Sequence, residues 1–72
     1  MNIMSNTDFA LSKTEKKILC LMAKDYSNKE IAEKLFLSVS TVKWYISALY
    51  EKMEVRGRVQ AAILAYKKGF IE

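Results

Sequence analysis

Seventy-two residues with 51% hydrophobic and 28% charged side chains describe one small globular domain, which buries only about 60% of the surface its unfolded chain exposes. Two glycines and no proline leave little for tight turns or hairpins, the lack of histidine removes the usual general base and imidazole metal ligand, and a lone Cys20 excludes an internal disulfide. Twelve Lys and Arg against eight Asp and Glu give a net charge of +4, which admits nucleic acid or an acidic surface as partner without deciding between them.

In chain order, residues 1–10 show no period and are expected to form a flexible N-terminal arm. The first ordered signal is "LSKTE". Ser12 followed three residues later by Glu15 is a capping box, so a helix is predicted over about 13–24, with Ile18, Leu19, Met22 and Ala23 on one stripe. The lysines at 13, 16, 17 and 24 fall off that stripe, and "DYSN" supplies turn chemistry. "SNKE" repeats the device with Ser27 and Glu30, and Ile31, Ala32 and Leu35 mark a short helix over about 28–35. Ser38 is a third cap. Beyond it Val39, Val42, Ile46, Leu49 and Met53 recur at steps of three and four, which predicts the longest helix over about 39–53. A fourth helix, about 58–68, carries Val59, Ala62, Ile63 and Tyr66 on one face and stops at Gly69 in the left-handed region.

The fold expected is all-α: a four-helix bundle whose second and third helices form a helix-turn-helix over about 27–46. No run of 18 or more apolar residues is present, and the start "MNIMSNTDFA" lacks the basic and apolar regions of a signal peptide, so a cytoplasmic protein is expected. Without histidine or a glycine-rich phosphate loop, neither an enzyme nor a cofactor is expected. Cys20 reads as a small residue at the core edge in a reducing compartment.

On a wheel of about 100° per residue, Val42, Ile46, Leu49 and Met53 of the third helix point inward, while Ser40, Lys43, Trp44, Ser47 and Ala48 point outward. A surface meant only for water would carry Glu and Lys here. This one has a single charge, a Trp, two Ser and an Ala, a mixture suited to a groove: hydroxyls and a Lys for phosphates or base edges, Ala and indole for methyls and sugars. The other reading is that Trp44 bends across to cover the core. An indole can also do some of each.

The segments "LSKTEKKIL", "SNKEIAEKL", "LSVSTVKWYI" and "KMEVRGRVQAAILA" resemble, in order and spacing, the LuxR-type (GerE-like) helix-turn-helix DNA-binding domain of bacterial transcription regulators. The resemblance covers Leu11 to Ile71, so residues 11–72 are expected to be that domain. It implies base contacts from Lys43, Trp44 and Ser47, and phosphate contacts from Lys29, Thr41, Arg56 and Arg58. It also implies a homodimer interface drawing on Val59, Ala62, Ile63 and Tyr66, a stripe that periodicity alone does not separate from core packing. The partners implied are a double-stranded DNA operator, a second copy and RNA polymerase, with no membrane and no metal. Asp25 and Glu54 stand where glycines are usual in the family, Tyr45 replaces a common His and Thr14 a common Arg.

Two function classes follow. The first is a sequence-specific, dimeric transcription regulator with the third helix in the major groove. The second is a protein-interaction module that heterodimerises with a longer LuxR-type regulator and blocks it, for which Lys29, Thr41 and Lys43 together would have no use. The chain is expected to resemble the short stand-alone members of the family, or else to be the output domain of a longer regulator.

Overall fold

The structure is a computed structural model that describes residues 9–70. Four helices follow one another: α1 over Lys13–Ala23, α2 over Asn28–Leu35, α3 over Val39–Met53 and α4 over Arg58–Lys67. Each lies within a residue or so of its predicted span. Among the described residues no helix is long and apolar enough to cross a membrane.

The starts of the first three helices are fixed by hydroxyls. Ser12 Oγ accepts the Glu15 N–H at 3.1 Å while Glu15 Oε1 accepts the Ser12 N–H at 2.8 Å, and Ser27 with Glu30 reproduces both distances. Ser38 Oγ accepts the Thr41 N–H at 3.0 Å. Each such cap satisfies donors that the first turn leaves without helical partners, and contributes about 1 kcal/mol. Gly57 starts α4 with no side-chain cap.

The helix ends are more uniform than the sequence suggests. Asp25 (φ 71°), Phe36 (φ 58°), Glu54 (φ 57°) and Gly69 (φ 82°) all sit in the left-handed region. In every case the next residue's N–H reaches back five positions: Tyr26 to the Leu21 carbonyl, Leu37 to Ala32, Val55 to Tyr50 and Phe70 to Ala65, all at 2.9–3.1 Å. These are four Schellman turns, which satisfy carbonyls at each C-terminus. Only one of them uses glycine. The absence of proline and shortage of glycine therefore did not prevent tight turns; Asp, Phe and Glu occupy positions that glycine fills without steric cost.

The core comes from one stripe per helix. Ile18, Leu19, Ile31, Val42 and Leu49 are wholly buried, with Met22, Ala32, Ile46 and Met53 beside them. α1 packs on the other three helices, and α2 packs on α3 to complete the helix-turn-helix. α4 docks on α1 through Ala61 and Ala65, both at zero exposure, whose small side chains let the two backbones approach. Val39, read from its spacing as part of the apolar repeat of α3, is 37% exposed at the first residue of that helix.

Two tertiary links join helices distant in sequence. Lys52 Nζ donates to the buried Glu15 Oε1 at 2.8 Å, tying the end of α3 to the start of α1. Arg58 Nη2 donates to the carbonyls of Tyr26 and, at 3.3 Å, Met22, tying the start of α4 to the end of α1. Of the arm expected over residues 1–10, residues 1–8 lie outside the described residues. Phe9 and Ala10 form a turn, and Phe9 packs on the core with its ring 6.0 Å from that of Phe70. Cys20 is half-buried at the core edge, its thiol 3.6 Å from the Phe70 carbonyl.

Candidate nucleic-acid interface

The turn between α2 and α3 decides which side of α3 faces outward. Val42, Ile46, Leu49 and Met53 are pulled into the core, so the opposite side, with Ser40, Lys43, Trp44 and Ser47 at helical spacing, is exposed. Trp44 is 67% exposed, and its ring meets Tyr45 edge-on at 5.2 Å rather than covering the core. Ala48, expected outward, is half-buried at the edge of this face. Lys43 is the only charged residue in the first three turns of α3.

The start of α3 adds polar groups beside that face. Ser38 Oγ lies 2.9 Å from Thr41 Oγ1 while it also accepts the Thr41 N–H, an arrangement in which Ser38 donates its hydroxyl proton and Thr41 keeps its own for another acceptor. The amides of the first turn and the helix dipole favour an anion at this end. Lys29, in the first turn of α2, is exposed. Among the residues expected at phosphates, Lys29 and Thr41 thus stand at the N-termini of the two helix-turn-helix helices.

The two arginines divide. Arg56 is exposed, with its backbone N–H donating to Gln60 Oε1 at 2.7 Å and its guanidinium in no ion pair among the described residues. Arg58 is half-buried and its guanidinium holds the Met22 carbonyl at the end of α1 and the Tyr26 carbonyl just beyond it. That internal role was not visible in the sequence, because the carbonyls it meets lie 32 and 36 residues away. Phe36 was also missed. It is 94% exposed in the helix-turn-helix turn, and the only signal for its left-handed backbone is the shortness of a turn that must run from Leu35 to the Ser38 cap.

On α4 the expected dimer residues lie outside the core. Val59 is 72%, Ile63 51% and Tyr66 54% exposed, and Ala62 is half-buried. Together with Met22, Ala23, Asp25 and Arg58 they line a groove of about 350 Å³ between α4 and the end of α1. The stripe picked out by periodicity is therefore the outward one, and the true packing face, Ala61 and Ala65, was hidden by its small side chains.

Two carboxylates have pKa values below the ordinary range. For Glu15, burial pushes the pKa upward, but the Lys52 ammonium and the Ser12 amide outweigh it and the net direction is down. Glu30 is lowered chiefly by the Ser27 backbone amide. Both are cap residues, so their charges serve the helix starts.

Comparison with known proteins gives a consistent set. Residues 10–65 match the family described as bacterial regulatory proteins, luxR family. The chain is 42% identical over 62 residues to the transcriptional regulatory protein LiaR of Bacillus subtilis, covering 86% of this chain and 29% of that protein. It is equally similar to the response regulator protein VraR of Staphylococcus aureus, covering 86% of this chain and 30% of that one. The chain thus spans about three-tenths of the length of the curated relatives it matches. Among solved structures, that of the transcription factor GerE superposes with a TM-score of 0.80 at 35% identity, over 86% of this chain and 92% of GerE.

Proposed function

Because the chain belongs to the luxR family of bacterial regulatory proteins, we propose that it binds double-stranded DNA, with α3 in the major groove, and regulates transcription. The observation that carries this reading is the exposed face of α3, where a Trp, a Lys and two Ser stand together with one charge among them. Lys43, Trp44 and Ser47 meet base edges: the ammonium suits guanine acceptors, the indole a thymine methyl or sugar, and the hydroxyl either partner of a pair. Lys29, the Thr41 hydroxyl and Arg56 hold the phosphates and set the register. Arg58 acts at one remove by fixing α4 to α1.

A second copy joins through Val59, Ala62, Ile63 and Tyr66. Two α3 helices then face half-sites about one helical turn apart, which makes the operator a repeat rather than a single site. In this reading the protein acts in the cytoplasm, with RNA polymerase as the downstream partner. The protein-interaction alternative leaves the α3 face without a use.

Selection of bound oligonucleotides from a random pool tests the proposal. Enrichment of a two-half-site sequence, lost in the Lys43→Ala variant, is the expected result. A pool that stays random at moderate salt, with a folded protein, contradicts it.

A further inference from the structure

The face of α1 that carries Lys13, Lys16 and Lys17 plays no part in the DNA-binding reading. Those lysines follow one another at helical spacing, and Lys34, from the end of α2, comes in from the far side. Between them lies a groove of about 550 Å³ whose floor is the half-buried Cys20, Leu21 and Leu35. Its size falls in the range of about 300–1,000 Å³ typical of sites that take a ligand or an anchoring side chain.

Among the described residues no acidic side chain lines the groove, and none of the four lysines is in an ion pair. Glu15, the one carboxylate in the first two turns of α1, is turned inward and committed to Lys52 and Ser12. Lys34 lies 5.0 Å from the centre of the Tyr26 ring, which supports its ammonium without neutralising it. The result is an apolar recess with a rim of four lysines, of which only Lys34 has a carboxylate nearby among the described residues, that of Glu30 one turn before it on α2, and none of the lining comes from α3.

We infer that this groove between α1 and α2 docks an acidic segment of a partner protein, one that places an aliphatic or aromatic side chain on the Leu21–Leu35 floor between carboxylates paired with the lysines. The shape of the recess selects among anionic partners. A DNA backbone offers phosphates but no projecting apolar group to fill the floor. A membrane surface demands protruding apolar side chains, whereas here they are recessed. An acidic peptide with an apolar anchor satisfies both parts: the anchor contributes burial, and the charges contribute steering and specificity.

The test is a random peptide library displayed against the full 72-residue chain, followed by affinity measurements on the enriched peptides. Enrichment of peptides with Asp or Glu flanking Leu, Ile or Phe is expected. Their binding should weaken roughly tenfold or more in the Lys16→Glu/Lys17→Glu double variant, weaken with salt, and be unchanged by Trp44→Ala. Both substituted lysines are exposed, so circular dichroism should show an intact fold. Four results would overturn the inference: no enrichment over an unrelated protein, enriched peptides without an acidic excess, equal binding to the double variant, or a double variant whose main defect is in DNA binding or self-association.

Discussion

Glu54→Gly should make the domain more stable, although it removes a side chain and adds none. Glu54 closes α3 at φ 57° and ψ 44°, a conformation that brings an L residue's Cβ against its own carbonyl at a cost of about 1–2 kcal/mol. It is exposed and forms no ion pair among the described residues, so little contact is lost. Its carboxylate also lies at the negative end of the α3 dipole, a repulsion of about 0.3 kcal/mol that the substitution removes. Against these gains stands the extra freedom of glycine in the unfolded chain, about 0.5–1 kcal/mol. The net is a stabilisation of about 1 kcal/mol, which for a domain of this size raises the melting midpoint by about 4–8 °C. Calorimetry of the variant beside Gly69→Ala provides a paired assay. Gly69 has φ +82° and open space around it, so the added methyl meets no neighbour and only the backbone penalty remains, which should lower the midpoint. A Glu54→Gly midpoint at or below that of the parent would refute the account of the helix ends.

Three further outcomes follow from the same geometry. The Glu15 pKa is depressed in the folded state, so its contribution is present above the ordinary carboxylate value of 4.5 and is lost as pH falls through the lower folded value. Glu15→Gln should therefore cost no more than about 1 kcal/mol at neutral pH, given the partly exposed Lys52, and the melting curves of variant and parent should converge in acid; parallel curves across that range would deny the ion pair any role. Arg58→Ala should cost about 1–3 kcal/mol by leaving the Tyr26 carbonyl without its side-chain donor, while Met22 keeps the Asp25 N–H; this is read as a lower denaturant midpoint with operator contacts otherwise retained, and an unchanged midpoint would return Arg58 to the phosphate set. Ile63→Asp should leave the monomer folded, because Ile63 is half exposed, while sedimentation shows loss of dimer and binding to two half-sites falls more than binding to one; equal losses on both would mean α4 is not the dimer surface.

The residues that announced themselves in the sequence are those whose effect is local. Ser12, Ser27 and Ser38 act on amides three residues ahead, and most residues that the repeats in α1, α2 and α3 pick out are buried, with Ala23 and Leu35 half-buried and Val39 outside, so helix boundaries and the outward side of α3 are legible in the sequence. What escaped depended on distance or on size. The Lys52–Glu15 and Arg58–Tyr26 links span 37 and 32 residues, and nothing in the spacing joins them. On α4 the large apolar residues mark the outward side, and periodicity alone does not tell it from the packing side, because close helix contact is made by Ala61 and Ala65, whose small side chains stand out less than Val59, Ile63 and Tyr66. Phe36 shows the same limit: a large apolar residue at 94% exposure is placed by the turn it must complete, not by burial. The DNA-facing roles proposed for Lys43, Trp44 and Ser47 rest on the family resemblance together with the groove-suited composition of that face.

The central claim is that the exposed side of α3 reads DNA, and Trp44 tests it most directly. One purified Trp44→Ala variant should be measured twice, for thermal midpoint and for affinity to the selected operator. At 67% exposure the indole contributes little to the core, so the midpoint should stay within a few degrees of the parent. Specific affinity should fall by about 1–3 kcal/mol, with relaxed preference at one or two base pairs. A collapsed melting curve, or a stable variant that binds the operator as tightly as the parent, would contradict the account.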